Sequence, residues 1–321
     1  MGKRTKVWLL IALSLVLVGC IVLGGVMTVA KWDFLKLSTD RYETTRHEIS
    51  ESYQNISIMT DTADIVFVPS ADMTSSVVCY EQKNVKHSVA VKDGTLAIEL
   101  VDARKWYEHI GIFFTSPKIT VSIPQGEYGA LTVTASTGDV EIPKEFTFES
   151  IEILESTGNV KNSASALETI KITTSTGNIR VEKVSAGSLE LTVSTGKVAV
   201  SNVTDTGDVK VSVSTGKTEL SNVACKNVIS DGDTGRIVLN NVIAAEKIWV
   251  ERDTGDVEFH GADAAELFVE TDTGDVTGSL LTDKVFITET DTGRVDVPKS
   301  ATGGKCQIKT DTGDIDIRIE K

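Results

Sequence analysis

Residues 175–200 read STGNIRVEKVSAGSLELTVSTGKVAV. Two Ser-Thr-Gly tripeptides lie in this stretch, with Gly177 and Gly196 19 residues apart. The side chains around them keep step. Ile179 and Val198 stand two residues after each glycine, and Val181 and Val200 four after. Ile170/Ile172 and Leu189/Leu191 stand seven and five before. Alternation with a period of two on both sides of a glycine turn predicts strand–turn–strand.

The pattern extends in both directions. Thr-Gly preceded by Ser or Asp places glycines at Gly138, Gly158, Gly177, Gly196, Gly216, Gly235, Gly255, Gly274, Gly293 and Gly313, always 19 or 20 residues apart. Another copy, at Gly207, falls out of phase. The position two after the glycine is apolar in every copy except at Thr218, and includes Val276 and Val295. A further apolar position seven after it holds Val184, Val203, Val223, Val242 and Leu281, which suggests a short third side. Repeats of about 20 residues mean a solenoid, because one such unit cannot bury its inward side chains alone. The fold expected is all-β: a right-handed single-stranded β-solenoid of 19–20-residue coils. At about 4.8 Å per coil, ten coils make a rod roughly 48 Å long. The ten glycines are structural turns, where the backbone takes positive φ. The threonine before each glycine is expected to stack as a ladder, with its hydroxyl bonding locally.

The same repeat disposes of one enzymatic reading. ETDTGDVTGS (270–279) contains Asp-Thr-Gly, the tripeptide of pepsin-like proteases. Those enzymes use one copy in each of two lobes, not a ladder. No catalytic residue is therefore assigned. A polysaccharide lyase or hydrolase is the remaining enzymatic alternative, with paired carboxylates in a lateral groove. The coils are too short and uniform to grow the loops that carry such sites.

The 321-residue chain has a net charge of −14. Lys3, Arg4 and Lys6 precede an uncharged run from Val7 to Ala30, and the rest carries 29 bases against 46 acids. So acidic a surface repels phosphates and argues against nucleic acid as a partner. The 24-residue apolar run is long enough to cross a bilayer as a helix. The basic residues before it place the N-terminus in the cytoplasm and the bulk outside. Cys20, in Leu17-Val18-Gly19-Cys20, offers lipidation as an alternative anchor, and cleavage as a signal peptide is a third outcome. The organisation expected is a cytoplasmic 1–6, a transmembrane anchor at 7–30, a juxtamembrane linker or short helix at 31–52, an irregular β cap with the first coils at 53–130, and regular coils at 131–321. Within the cap, MTDTADIVFVPS (59–70) reads as a degenerate repeat with Ala63 in the glycine place. HSVAVKDGTLAIEL (87–100) reads as a hairpin turning at Asp93-Gly94.

Several side chains are candidates for chemistry. Asp233, Asp253, Asp272, Asp291 and Asp311 recur two residues before the glycine, some joined by Asp256, Asp275 or Asp314 one after it. Stacked carboxylates repel, and Ca2+ bound along them would relieve that. Arg236 and Arg294 could neutralise the ladder instead, and then no cofactor is needed. Trp106 and Tyr107 stand in an aromatic cluster, DARKWYEHIGIFF (102–114), fit either to cover the open end of the core or to touch lipid or wall glycan. Cys79, Cys225 and Cys306 form no CxxC pair and read as buried apolar residues. The four histidines show no metal-ligand spacing. Asn55 and Asn202 each begin a glycosylation sequon.

SPKITVSIPQ (116–125), then LTVTASTGDVEI (131–142) and the repeated Ser/Asp-Thr-Gly-Asp-Val, resemble the bacterial DUF4097 family over roughly residues 50–320. Its members are described as "putative adhesin" and include membrane-anchored proteins of the cell-envelope stress type. The resemblance implies a β-solenoid exposed outside a bacterial membrane and transfers no catalytic residue. The function expected is that of a non-enzymatic, single-pass cell-surface binding, adhesin-like or scaffold protein, with a wall glycan or another membrane protein as partner. The alternative is an accessory regulator in an envelope-stress response.

Overall fold

The computed structural model describes residues 2–29, 31–32, 42–102 and 116–320. Lys3–Val29 is one helix, and from Thr5 onward it is long and apolar enough to cross a membrane. That fits either a membrane anchor or a signal sequence.

The strands form a single solenoid of stacked parallel coils. Ile170 pairs with Leu189, Gly177 with Gly196 and Val181 with Val200, so successive glycines face one another in register. The flanking apolar pairs all point inward: Ile170, Ile172, Leu189, Leu191, Ile248 and Val250 are buried. The inward residues form one continuous apolar file, since each coil's set is covered only by those of its neighbours.

The corner explains why the repeat needs glycine. At Gly177 and Gly196 φ is 145° and 149°, a region that L side chains rarely adopt. A Cβ on Gly196 would also lie 1.8 Å from the carbonyl oxygen of Gly177, and one on Gly177 1.8 Å from that of Gly158. Each corner thus occupies the space where the next would carry a side chain. The ladder there runs through backbone rather than threonine hydroxyls: Gly158 N–H donates to Thr176 O at 2.9 Å and Gly216 N–H to Thr234 O at 2.8 Å. The threonine side chains at 157, 176 and 195 are exposed.

A second corner lies six residues on. Asn202, Asn222 and Asn241 have φ of 53°, 54° and 51°. Their amides form a ladder, Asn222 Nδ2 to Asn202 Oδ1 at 3.1 Å and Asn241 Nδ2 to Asn222 Oδ1 at 2.9 Å. Asparagine is the side chain best suited to left-handed backbone after glycine. The out-of-phase Gly207 marks a third corner, where its Cβ would meet Gly187 O at 2.0 Å. Both sequon asparagines are employed, since Asn55 Oδ1 accepts from Ala130 N–H at 2.8 Å.

Chain order and spatial order part company at both ends. At the N-terminal end the strands are β1 (Tyr42–Ile49), β2 (Asn55–Met59), β3 (Asp64–Pro69), β4 (Ser75–Gln82), β5 (Val85–Lys92), β6 (Thr95–Asp102), β7 (Lys118–Ile123), β8 (Gly126–Thr137) and β9 (Val140–Ile142). The coil β2–β3 stacks on β8–β9 on one side and on β6 and β7 on the other. The first coil in sequence is therefore second in space. Ala63 holds its corner, donating to Thr137 O at 2.9 Å. β5 then closes β6, and β4 and β1 close β7, all antiparallel. β1 falls within the stretch read as a linker, because its alternating side chains pair along the whole of β4. Asp93 and Gly94 both have positive φ, as the β5–β6 hairpin turn requires.

At the other end, Glu266–Thr273 pairs with Lys305–Thr312, which pairs in turn with Lys284–Thr292. The last coil in sequence is inserted between the two before it, and the Gly293 coil becomes the end of the stack. This corrects two expectations. Val295 faces the core axis but is 44% exposed, because no described strand stacks beyond it. Leu281 is exposed and Leu280 buried instead, the chain turning one residue earlier around Gly278 at φ 128°.

Gly196→Ala should therefore cost about 3 kcal/mol or more, combining positive-φ strain with the clash against Gly177 O. Gly126, with nothing within 4 Å of the Cβ position, should accept alanine within about 0.5 kcal/mol. Urea unfolding of the two variants checks the contrast.

Candidate binding surface

Side chains at alternate strand positions point outward, and stacking places equivalent ones side by side. Six residues before the corner, the outward row runs Glu152, Lys171, Glu190 and Lys210, with ion pairs Lys171–Glu152 at 2.9 Å and Lys210–Glu190 at 3.4 Å. Such exposed pairs alternate charge along the row and are individually weak. The row then changes character, becoming Ile229, Trp249 and Phe268, which pair in consecutive coils. Trp249 and Phe268 stack with centroids 4.0 Å apart, and Lys247 Nζ lies 4.2 Å from the Trp249 ring centroid. All three strip residues are half-buried although they face outward. Charged groups rim the strip: Glu251 accepts from Trp249 Nε1 at 3.5 Å, and Glu270 pairs with Lys309 at 3.1 Å.

The backbone is irregular at the same place. One bulge interrupts the ladder: Ala244–Lys247 carries one residue more than Cys225–Asn227 on one side and Ala264–Glu266 on the other. Bulges re-aim side chains and bend the strand, and they recur beside functional sites. At this bulge lies a shallow groove of about 510 Å3 lined by Asn227, Ile229, Ala245, Glu246, Lys247, Ala265 and Glu266, which meets the strip at Ile229. Trp249 and Phe268 each commit one face to the other, and Lys247 lies over Trp249. What the surface offers a partner is ring edges, aliphatic carbon and flanking charge.

The family model described as Toastrack DUF4097 matches residues 53–212 and 203–321. The chain belongs to the DUF4097 family. No curated protein matches the chain significantly. Among solved structures, this DUF4097 chain is similar to a "putative adhesin" from Parabacteroides merdae, at 12% identity and TM-score 0.50, covering 75% of this chain and 97% of that one. It is also similar to a "putative adhesin" from Bacteroides fragilis, at 17% identity and TM-score 0.41, covering 87% and 97%. A third, a "putative lipid binding protein" from Parabacteroides distasonis, gives 13% identity and TM-score 0.45, covering 86% and 97%. At these identities the likeness concerns the fold.

The aspartates of the DUF4097 repeat divide into two sets. Those one residue after the glycine are structural: Asp256 Oδ1 accepts from Asp275 N–H at 3.2 Å, Asp275 Oδ1 from Asp314 N–H at 2.8 Å, and Asp314 Oδ1 from Arg294 N–H at 2.8 Å. Each side chain satisfies the backbone of the neighbouring coil, and Arg294 also pairs with Asp314 at 2.9 Å. Asp233, Asp253, Asp272, Asp291 and Asp311 line the corner exposed to solvent. Among the described residues, no three of their carboxylates bring ligand atoms within 4.8 Å of one another. Trp106 and Tyr107 lie outside the described residues.

Sequence reasoning passed over the position three before the corner, which points inward. It holds Thr60, Glu155, Thr174, Arg252, Thr271, Thr290 and Thr310, a polar file interrupted by Ala135, Val193, Val213 and Gly232. Arg252 is fully buried and donates to Val213 O at 2.7 Å, reaching across the space that Gly232 leaves open. Burial lowers its pKa, against the pull of Asp231, Asp233 and Asp253. Glu155 is buried, and among the described residues neither carboxylate oxygen has a hydrogen-bond partner. Burial, with Asp139 and Asp64 adding repulsion, pushes its pKa up to about 7.

The folded state therefore holds a proton on Glu155 that the unfolded chain gives up near its ordinary value of 4.5. The stability this proton confers is present below about pH 4.5 and lost as pH rises through about 7. Glu155→Gln should flatten the fall in Tm between those values, and a Tm–pH series on both proteins checks it.

Proposed function

We propose that this chain is a membrane-anchored extracytoplasmic binding protein, a non-enzymatic scaffold whose outer face around Trp249 and Phe268 docks a protein partner. The observation that carries the reading is the coincidence on neighbouring coils of the aromatic strip, a bulge and a groove, in a row that alternates charge from Glu152 to Lys210. Tryptophan ringed by charged groups is the composition of a protein-interface centre. Sugar recognition stacks a pyranose on a free aromatic face, and the stack together with Lys247 reduces the ring area that Trp249 and Phe268 leave open for one. A protein partner also suits the accessory-regulator role, in which the scaffold engages another membrane protein. The apolar helix after Lys3, Arg4 and Lys6 supports anchoring with the coils outside the membrane.

Photo-crosslinkers placed at Glu251 and Glu266 of the full chain in cells should trap a protein, whereas those at Glu152 and Lys171 on the charged half should not. The Trp249→Ala/Phe268→Ala variant should lose the adduct while costing about 2 kcal/mol of stability. Equal trapping from both halves, or an adduct that survives the double substitution, contradicts the assignment. Wall glycan bound by wild type and lost in the double variant would point to the adhesin reading instead.

A further inference from the structure

The hairpin of β4 and β5 folds over the N-terminal end of the stack and carries three chemically active side chains inward. Cys79 and Glu81 alternate along β4 and share its inner face, and His87 follows on β5 beyond a tight turn. All three are buried, at 0%, 1% and 5% exposure. Glu81 Oε2 lies 2.9 Å from His87 Nδ1 and accepts from His87 N–H at 2.7 Å. Thr60, at the end of the polar file, holds His87 Nε2 at 2.9 Å. Among the described residues, Glu81 Oε1 has no hydrogen-bond partner. A carboxylate oxygen so enclosed loses its hydration without recompense.

We propose that Cys79, Glu81 and His87 bind one divalent transition-metal ion, with zinc the best fit. Three observations carry this. One ligand atom from each residue lies within 4.8 Å of the others, so small side-chain movements bring three donors of a tetrahedral set onto one ion, with water as the fourth. The donors are sulfur, nitrogen and oxygen, which select zinc over calcium or magnesium. Thr60, by holding Nε2, turns Nδ1 toward Glu81 and Cys79, as an outer partner orients a ligating imidazole. A thiolate, a carboxylate and a dication sum to zero charge, which settles the buried carboxylate. In the metal-free protein, burial and Glu81 push the Cys79 thiol up to about 12. Binding therefore displaces the thiol proton to solvent, and affinity rises with pH. The bound ion would pin the hairpin that covers the first coils. The spacing escapes sequence inspection because the ligands come from two strands of a hairpin rather than from a CxxC turn.

The test uses the full chain in detergent, stripped with chelator and dialysed against zinc, or against calcium as a control. Wild type should retain about one zinc per chain and no calcium, and Cys79→Ser and His87→Gln should retain less than a tenth of that zinc. Cys225→Ser should retain it fully. Cobalt loaded in place of zinc should show a thiolate-to-cobalt charge-transfer band in the near ultraviolet on wild type, which needs no variant to fold. Absence of that band, no zinc on folded wild type, or undiminished zinc on folded Cys79→Ser overturns the proposal.

Discussion

The structure depends on one contact: the α-carbon of each corner glycine lies against the carbonyl oxygen of the corner beside it. No side chain fits there, as the 1.7 Å separation between a Cβ on Gly216 and Gly196 O makes plain. The approach lets backbone ladders run unbroken around the bend. Inward residues on both sides then stack in register, and the core becomes a file rather than a globule. Energetics follow the geometry, because each coil is stabilised chiefly by its two neighbours. The same registry holds the outer rows side by side, so ionic and aromatic strips form without dedicated loops.

A stack has ends, and this chain finishes them in a particular way. The first and last coils in sequence, β2–β3 and Gly304–Ile319, are each paired on both sides. The end positions go to segments tethered by the chain in both directions. The N-terminal end is further closed by antiparallel β1, β4 and β5. At the opposite end Lys284 plugs the interior, donating to Ala264 O at 2.8 Å and Thr282 Oγ1 at 2.7 Å. Ile287 and Val295 remain exposed beside it.

Much of this was legible in the sequence. The glycine period, the inward pairs, Ala63 in a corner and the Asp93-Gly94 turn are all local signals, and local geometry decides them. The exchanged coils were not legible, because a repeat matches its second neighbour as well as its first. Leu281 misled because a one-residue shift at Gly278 reverses which side chain faces in. The binding strip was hidden for a different reason. Trp249 and Phe268 are 19 residues apart, so attention to local aromatic density led to Trp106 and Tyr107 instead. Alignment of the repeats by their glycines would have shown both rings in one row. The polar file was visible by the same means, as Thr, Glu and Arg at one fixed inward position.

Disulfide trapping between corner positions tests the stacked, end-exchanged solenoid most directly. Asp272 and Asp311 sit between the paired threonines of adjacent strands, and so do Asp311 and Asp291. Neighbouring strands lie about 4.8 Å apart, within disulfide reach, whereas coils twice as distant do not. Cysteine pairs at 272/311 and 291/311 should crosslink quantitatively under mild oxidation, and a pair at 272/291 should stay reduced. Efficient crosslinking at 272/291 with none at 272/311 would restore sequential stacking, and crosslinking at no pair would contradict the single file of corners altogether.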